Sequence, residues 1–481
     1  MLLREIVNNI KHELVRGSLD IEISGISYDS RKVKKGDLFV AIKGFTTDGH
    51  KYIESAVQNG AVAVIGQEDS GFCENYIKVK DSREALAQAS LNFYQNPQKK
   101  LKLIGVTGTN GKTTTTHLIK SILEFNGYKC GLIGTNHNMI GSRELPAEHT
   151  TPESLDLAKL LYEMANENVE YVIMEVSSHS LAQKRVHGLY FFVAAFTNLT
   201  QDHLDFHASM EEYRDTKAKL FSMCEASTIN IDDEAGKYIF DNTSSKKISY
   251  GIHENAMLCA KDIRLRERGV IFELSYNNEK ETIRVNIPGL FSVYNALCAI
   301  GVCLSVGLSL SDIQKGLVIA KSVKGRAEVV PTNTPYTVII DYAHTPDGLE
   351  NIINTVRGFA KGRVITLFGC GGDRDRGKRP KMGKIAAELS DYVVVTSDNP
   401  RTENPSDIIK DILEGMKGYE KKFTVVENRR EAIKYALSIG KEGDVIILAG
   451  KGHETYQILK DRTIDFDERQ IVKEILEGNQ I

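Results

Sequence analysis

The stretch Ile104 to Ile119, IGVTGTNGKTTTTHLI, constrains the fold most, because an apolar strand runs into a glycine-rich turn and then an amphipathic helix. Gly108 and Gly111 permit backbone conformations that a side chain forbids. The N–H groups of the turn and helix start, from Gly108 through Thr109 and Asn110 to Thr114, can therefore converge on an anion. Lys112 is placed to reach the outer phosphates of ATP, and Thr113 to hold Mg²⁺. Gly105 lies six positions before Gly111, one more than the usual P-loop spacing, and Val106 fills the expected place. The reading rests on GTNGKT in its context, against the plainer alternative of a glycine-rich strand-to-helix connection.

A chain of 481 residues exceeds what one hydrophobic core usually supports. With 41% hydrophobic and 26% charged residues and a formal net charge of −3, it lacks the basic excess of a dedicated nucleic-acid binder. Small molecules are the expected partners. Seven cysteines, Cys73, Cys130, Cys224, Cys259, Cys298, Cys303 and Cys370, are scattered and form no CxxC pair, which fits a reduced compartment. The amino end carries Arg4, Glu5 and Lys11 in place of a signal-peptide apolar core, and no later uncharged run is long enough to span a bilayer. A cytoplasmic protein is expected.

Three α/β domains are expected: a small one over 1–98, a central P-loop ATPase domain with a largely parallel sheet over 99–325, and a Rossmann-like doubly wound domain over 326–481. DLFVAI and AVAVIG read as short buried strands of the first, with a helix near Tyr52 to Asn59, and the domain ends near Asn96, Pro97 and Gln98. YVIMEVS and FFVAAFTNL read as buried strands of the second, and TVIIDYA, RVITLFG, YVVVTS and DVIILAG as those of the third. Ligands of such sheets bind beyond the carboxyl ends of strands, where polar clusters lie at 341–344, 369–376, 398–401 and 450–454.

GTNGKTT, MEVSSHSLAQKRV, TNLTQDHLDFH, DYAHTPD, GCGGDRDRGKRP, DNPR and GKGHE occur in this order. By that series the chain resembles the Mur ligases over essentially its whole length. The resemblance implies an ATP-dependent amide ligase whose domains bind in turn a UDP-sugar peptide, ATP and an amino acid. It also implies an acyl-phosphate intermediate, a soluble protein without membrane contact, and a monomer or weak dimer.

In the central domain the resemblance points to Glu175 and His203 as Mg²⁺ ligands. It points to Lys217 as a lysine that CO₂ converts to a carbamate, a further metal ligand. The plainer readings are a strand-end ion pair, a hydrogen-bonded loop histidine, and a solvated helix lysine like Lys219. Asn295 and Arg326 resemble positions near the adenine and phosphates of ATP; a helix cap and an ion pair are the alternatives. Asp341 and His344 match a motif that closes over the nucleotide, or form an ordinary polar loop.

For the UDP-sugar peptide, UDP-N-acetylmuramoyl-L-alanyl-D-glutamate, Ser30 and the stretch around His50 resemble uridine and diphosphate contacts. Thr150, Thr151, Ser177, Gln183 and Arg185 resemble contacts to sugar and peptide. Asp398, Asn399, Pro400 and Arg401 resemble the version of the family that accepts meso-diaminopimelate, which carries a second carboxylate that L-lysine lacks. Arg374 resembles a carboxylate contact of that pocket, and Gly450 and Glu454 its remainder, with Glu454 receiving an ammonium. An L-lysine-adding ligase and a plain turn at DNPR are the alternatives.

Overall fold

In the computed structural model, residues 1–44, 47–202, 206–253, 255–266, 268–277 and 279–478 are described. They fall into two compact units: Met1–Leu199, the described part of 203–249 and Gly301–Leu308 in one, Thr200–Asp202, Tyr250–Ile300 and Ser309–Ile481 in the other.

The first unit carries two sheets. The amino-terminal one has five strands in the order His12–Arg16, Tyr76–Val79, Ala61–Gly66, Asp37–Val40 and Gly25–Ser27. All its pairings are parallel except the first. The apolar runs Leu38–Val40 and Ala61–Ile65 within the strands Asp37–Val40 and Ala61–Gly66 are continuous because both faces are covered.

The second sheet places Cys224–Asn230, Phe191–Phe196, Lys102–Thr107, Tyr171–Glu175 and Cys130–Ile133 side by side, all parallel. Short antiparallel strands Asn138–Ile140 and Arg143–Leu145 follow. Lys102–Thr107 is the first of the parallel strands in the chain yet sits centrally, so successive connections leave it toward opposite edges. Such a switch point leaves a crevice at the carboxyl end of the strand, where the glycine-rich turn lies. Across this end Val106 is aligned with Ala195 on one side and Glu175 on the other.

The second unit has a six-stranded sheet in the order Glu328–Val330, Thr337–Asp341, Val445–Ala449, Val364–Phe368, Tyr392–Val395 and Phe423–Val425. Only the first pairing is antiparallel. Its central strands are wholly buried between two helix layers. Outside that six-stranded sheet the second unit also carries three strands paired antiparallel with one another, Leu258–Arg266, Gly269–Tyr276 and Glu279–Val285. They bury Val270, Phe272, Leu274, Ile283 and Val285 on one face. All seven cysteines are free thiols. Among the described residues no helix is long and apolar enough to cross a membrane.

Candidate functional site

The strand Lys102–Thr107 leads into Gly108, at φ +146°, and Gly111, at φ +85°, and the helix Lys112–Phe125 begins at once. A Cβ on Gly108 would stand 1.9 Å from Thr197 Oγ1, so the turn has room only for glycine. The neighbouring strand end secures the loop. Asn198 accepts the Thr109 N–H on its carbonyl at 2.8 Å and the Asn110 N–H on Oδ1 at 2.9 Å. The Thr197 hydroxyl donates to the Asn110 carbonyl at 2.6 Å. Lys112 folds back over the turn, its ammonium donating to the carbonyls of Gly108 and Thr109, both at 2.8 Å. Thr113 and Thr114 are buried in the first helical turn.

Lys217 joins the same loop. It is 1% exposed, lies 4.5 Å from the centroid of the Tyr213 ring and donates to the Gly108 carbonyl at 2.9 Å, whereas Lys219 is exposed. The helix Met210–Ala218 turns Lys217 inward, and Lys219, which caps its end, stays in water, so the solvated reading of Lys217 fails. Glu175 ends its strand 1% exposed. Its Oε1 accepts the Thr135 N–H at 2.9 Å and its Oε2 the Thr135 hydroxyl at 3.0 Å. Its partner is thus a threonine, not the cation of a strand-end ion pair. His203 lies outside the described residues. Nearby in sequence, His207 is buried with Nε2 3.0 Å from Ser178 Oγ. Among the described residues no cluster of three or more His, Cys, Asp and Glu could hold a metal ion. Thr113 and Glu175 supply hard oxygen donors of the kind Mg²⁺ prefers.

From Glu175 a connected polar set runs to Arg185. Thr135 Oγ1 is 3.0 Å from Thr150 Oγ1, and Thr151 Oγ1 donates to the Glu175 carbonyl at 2.8 Å. The Ser177 N–H donates to Thr151 Oγ1 at 3.1 Å, and Arg185 donates to the Thr151 carbonyl at 2.8 Å and to Gln183 Oε1 at 2.7 Å. Five sequence-predicted residues, Thr150, Thr151, Ser177, Gln183 and Arg185, are thus linked to Glu175 through one hydrogen-bonded set. Glu153, absent from the sequence reading, lies 3.5 Å from Arg185 and 3.4 Å from Arg83. Ser30 and His50 lie in short 3₁₀ turns between strands of the amino-terminal sheet. Ser30 is buried in a short 3₁₀ turn. His50 Nε2 accepts the Gln67 N–H at 2.8 Å, which leaves Nδ1–H to donate to Asp48 at 2.6 Å. Both ring nitrogens are engaged, one within its own turn and one at the end of the strand Ala61–Gly66.

In the second unit the register gathers the polar clusters at one end of the sheet, with Asp341 aligned with Ala449 and Phe368 with Val395. Asn399 and Arg401 follow one strand, Gly371 to Arg374 another, Gly450 to Glu454 a third. Arg401, at φ +52°, donates to the carbonyl of Gly372 at 2.9 Å, and Arg374 to that of Asp373 at 2.9 Å. A Cβ on Gly371 would lie 2.9 Å from Arg401 Nη1 and 3.8 Å from Arg374 Cγ, so the two arginines flank one glycine. Among the described residues neither guanidinium has a carboxylate within salt-bridge distance, in contrast to Arg379, which is buried and paired with Glu403 and Asp411. The hydrogen bonds from Arg379 hold the Glu403 carboxyl down to about 2.

Asn399 donates to Glu454 Oε2 at 2.9 Å. Asp398 is buried, with Gly450 close enough that a Cβ there would meet Asp398 Oδ2 at 2.7 Å. Pro400 is buried as well. Lys451, which the sequence reading passed over, is fully buried against Asn399 and Glu454. Asp341 accepts the N–H groups of Ala327 at 2.7 Å and Ala343 at 2.8 Å; burial pushes its carboxyl up, and Arg326 and these N–H groups oppose that. Arg326 lies over the Tyr342 ring, 5.0 Å from its centroid, and Tyr342 packs against His344 and His453 at 4.6 and 4.9 Å. Asn295 is buried inside the helix Leu290–Val306 and not at its start, so the helix-cap alternative fails.

Three parts of the chain match known families: residues 22–94 the Mur ligase family catalytic domain, 106–303 the Mur ligase middle domain and 325–452 the Mur ligase glutamate ligase domain. The chain is 52% identical over 483 residues to UDP-N-acetylmuramoyl-L-alanyl-D-glutamate--2,6-diaminopimelate ligase of Clostridium botulinum, covering 99% of each chain. It is also 52% identical over 479 residues to the ligase of that name from Caldanaerobacter subterraneus, again covering 99% of each. A solved structure of a ligase of that name superposes with a TM-score of 0.73 at 30% identity, covering 99% of each chain.

Proposed function

The chain belongs to the Mur ligase family, and on that premise we propose that it joins meso-2,6-diaminopimelate to UDP-N-acetylmuramoyl-L-alanyl-D-glutamate, with ATP, in peptidoglycan precursor synthesis. The observation that carries the amino-acid choice is the pair Arg374 and Arg401 around Gly371, with no carboxylate at salt-bridge distance among the described residues. A ligand carboxylate supplies what they lack. Relatives at 46 to 52% identity over full length bear the diaminopimelate ligase name.

Amide formation needs an activated carboxyl group. A carboxylate oxygen of the UDP-sugar peptide attacks the γ-phosphorus of ATP, the bond to ADP breaks, and an acyl phosphate results. The amine then attacks the acyl carbon, phosphate leaves with the bonding electrons, and the nitrogen gives up a proton. Lys112 and the N–H groups at the helix start would hold the phosphates. Thr151, Ser177, Gln183 and Arg185 would hold the sugar peptide, with Arg185 on a carboxylate. Thr113 and Glu175 are the described donors for Mg²⁺, which when bound neutralises phosphate charge; Lys217, as a carbamate, is proposed to join them. Phosphate release from ATP and Mg²⁺ with the UDP-sugar peptide tests this, comparing meso-diaminopimelate, L-lysine and no amino acid. Release that requires diaminopimelate supports the assignment, and silence with every acceptor contradicts it.

A further inference from the structure

Among the described residues of the second unit Lys451 is the only lysine with 0% exposure, and it lies against Asn399 and Glu454, two residues of the proposed amino-acid pocket. Its ammonium donates to Asn399 Oδ1 at 3.0 Å and to Glu454 Oε2 at 3.2 Å, with the Tyr456 and Phe466 rings 5.9 and 5.8 Å away. Asn399 Oδ1 also receives the Ile458 N–H at 3.0 Å. With two donors on Oδ1, the amide orientation is fixed, and Nδ2 is left to donate to Glu454 Oε2 at 2.9 Å. Both contacts fall on the same oxygen of Glu454, which keeps Oε1 for a ligand.

The charges of the pocket follow. Glu454 is matched by Lys451, and Asp398 stands 3.8 Å from Arg429, whose nearer partner is Glu468 at 2.8 Å, while Arg374 and Arg401 have no carboxylate at salt-bridge distance among the described residues. A group bearing both carboxylate and ammonium suits such a pocket. A bare ammonium does not, because the attraction of Glu454 for it is offset by a buried cation at 3.2 Å.

We propose that Lys451 is a specificity-determining positioning residue, which sets the Asn399 amide and offsets Glu454 so that an amino acid lacking a second carboxylate is rejected. This rests on the diaminopimelate reading of the pocket. Rejection then has two sources: an attractive contact at Arg401 that lysine leaves unmade, and a repulsive one from Lys451 that lysine must face.

The experiment compares the wild type with Lys451→Met and the double variant Lys451→Met with Glu454→Gln, measuring kcat and KM for meso-diaminopimelate, L-lysine and ATP. In Lys451→Met the KM for diaminopimelate is expected to rise and the ratio of kcat/KM for lysine over diaminopimelate to rise about tenfold or more, with the KM for ATP unchanged. The double variant, which has no carboxylate charge to attract lysine, is expected to lose that gain. Lys451→Gln keeps a donor toward Asn399 without the charge and carries the same test if the methionine variant does not fold. An unchanged lysine ratio in the single variants, or a gain that survives in the double, overturns the role of Lys451 alone. A wild type that uses no diaminopimelate overturns the assigned reaction instead.

Discussion

Lys112 and Lys217, 105 positions apart in sequence, donate to one carbonyl oxygen, that of Gly108, at 2.8 and 2.9 Å. One lysine comes from the start of the helix after the turn, the other from the inward face of Met210–Ala218. Unmodified, the two ammonium groups favour an anion at this point of the loop; as the proposed carbamate, Lys217 would instead bring a negative group there for a metal ion to bridge, leaving Lys112 as the cation.

Removing Lys112 should therefore abolish nucleotide binding. For the wild type, ATP at about a hundred times its Kd adds about 2.7 kcal/mol to stability, seen as a higher Tm. Lys112→Ala should show no such shift while keeping its own Tm without nucleotide close to wild type. An undiminished shift would remove Lys112 from the phosphate site.

Lys217 and Lys219 separate a buried role from a solvated one. Lys217→Ala should lower kcat on the order of 10² or more, as loss of one charge-stabilising group does in other enzymes. Lys219→Ala should leave turnover within about twofold, since exposed substitutions cost little. Equal effects at both positions would contradict the buried role.

At Gly108 an added methyl meets Thr197 Oγ1 at 1.9 Å in a backbone conformation that disfavours side chains. Gly108→Ala should cost about 1–3 kcal/mol of stability and weaken ATP binding. Gly127→Ala is the control: it shares a positive φ, of +87°, but nothing lies within 4 Å of its Cβ, so only the stability should change. ATP affinity retained in the first variant would show that the turn tolerates a side chain.

Burial pushes the His117 imidazole down to about 4 from its ordinary 6.5, with His137 adding to the shift, while Nδ1–H donates to the Thr113 carbonyl at 2.8 Å. Between these values the unfolded chain binds a proton that the folded chain refuses. The stabilisation is complete above pH 6.5 and is lost as the pH falls toward 4, by about 3 kcal/mol in all. Urea unfolding across this window should be less pH-dependent in His117→Gln, and an unchanged slope would contradict the buried neutral form.

Much of this was legible beforehand because the signals are local. The strand and turn at 104–111, the buried runs at 171–175 and 191–196, and the four strand ends of the last sheet all carry continuous apolar residues followed by glycine, polar or charged residues. The antiparallel strands over 258–285 mix short apolar stretches with charged residues, as in LCAKDIRLR and EKETIRV, a weaker signal than a continuous apolar run. Lys451 was missed for a different reason. A lysine between two glycines reads as exposed loop, and only the fold brings Asn399, 52 positions earlier, against it. The polar set from Glu175 to Arg185 depends likewise on pairing between strands distant in sequence, which residue spacing does not encode.

Product analysis tests the central assignment most directly. ATP, Mg²⁺, UDP-N-acetylmuramoyl-L-alanyl-D-glutamate and an equal mixture of meso-diaminopimelate and L-lysine would be incubated with the enzyme, the products identified by mass and the phosphate counted. A single amide containing diaminopimelate, formed in equal number with phosphate, is the predicted result. Phosphate without an amide, or lysine incorporated as readily as diaminopimelate, would contradict it.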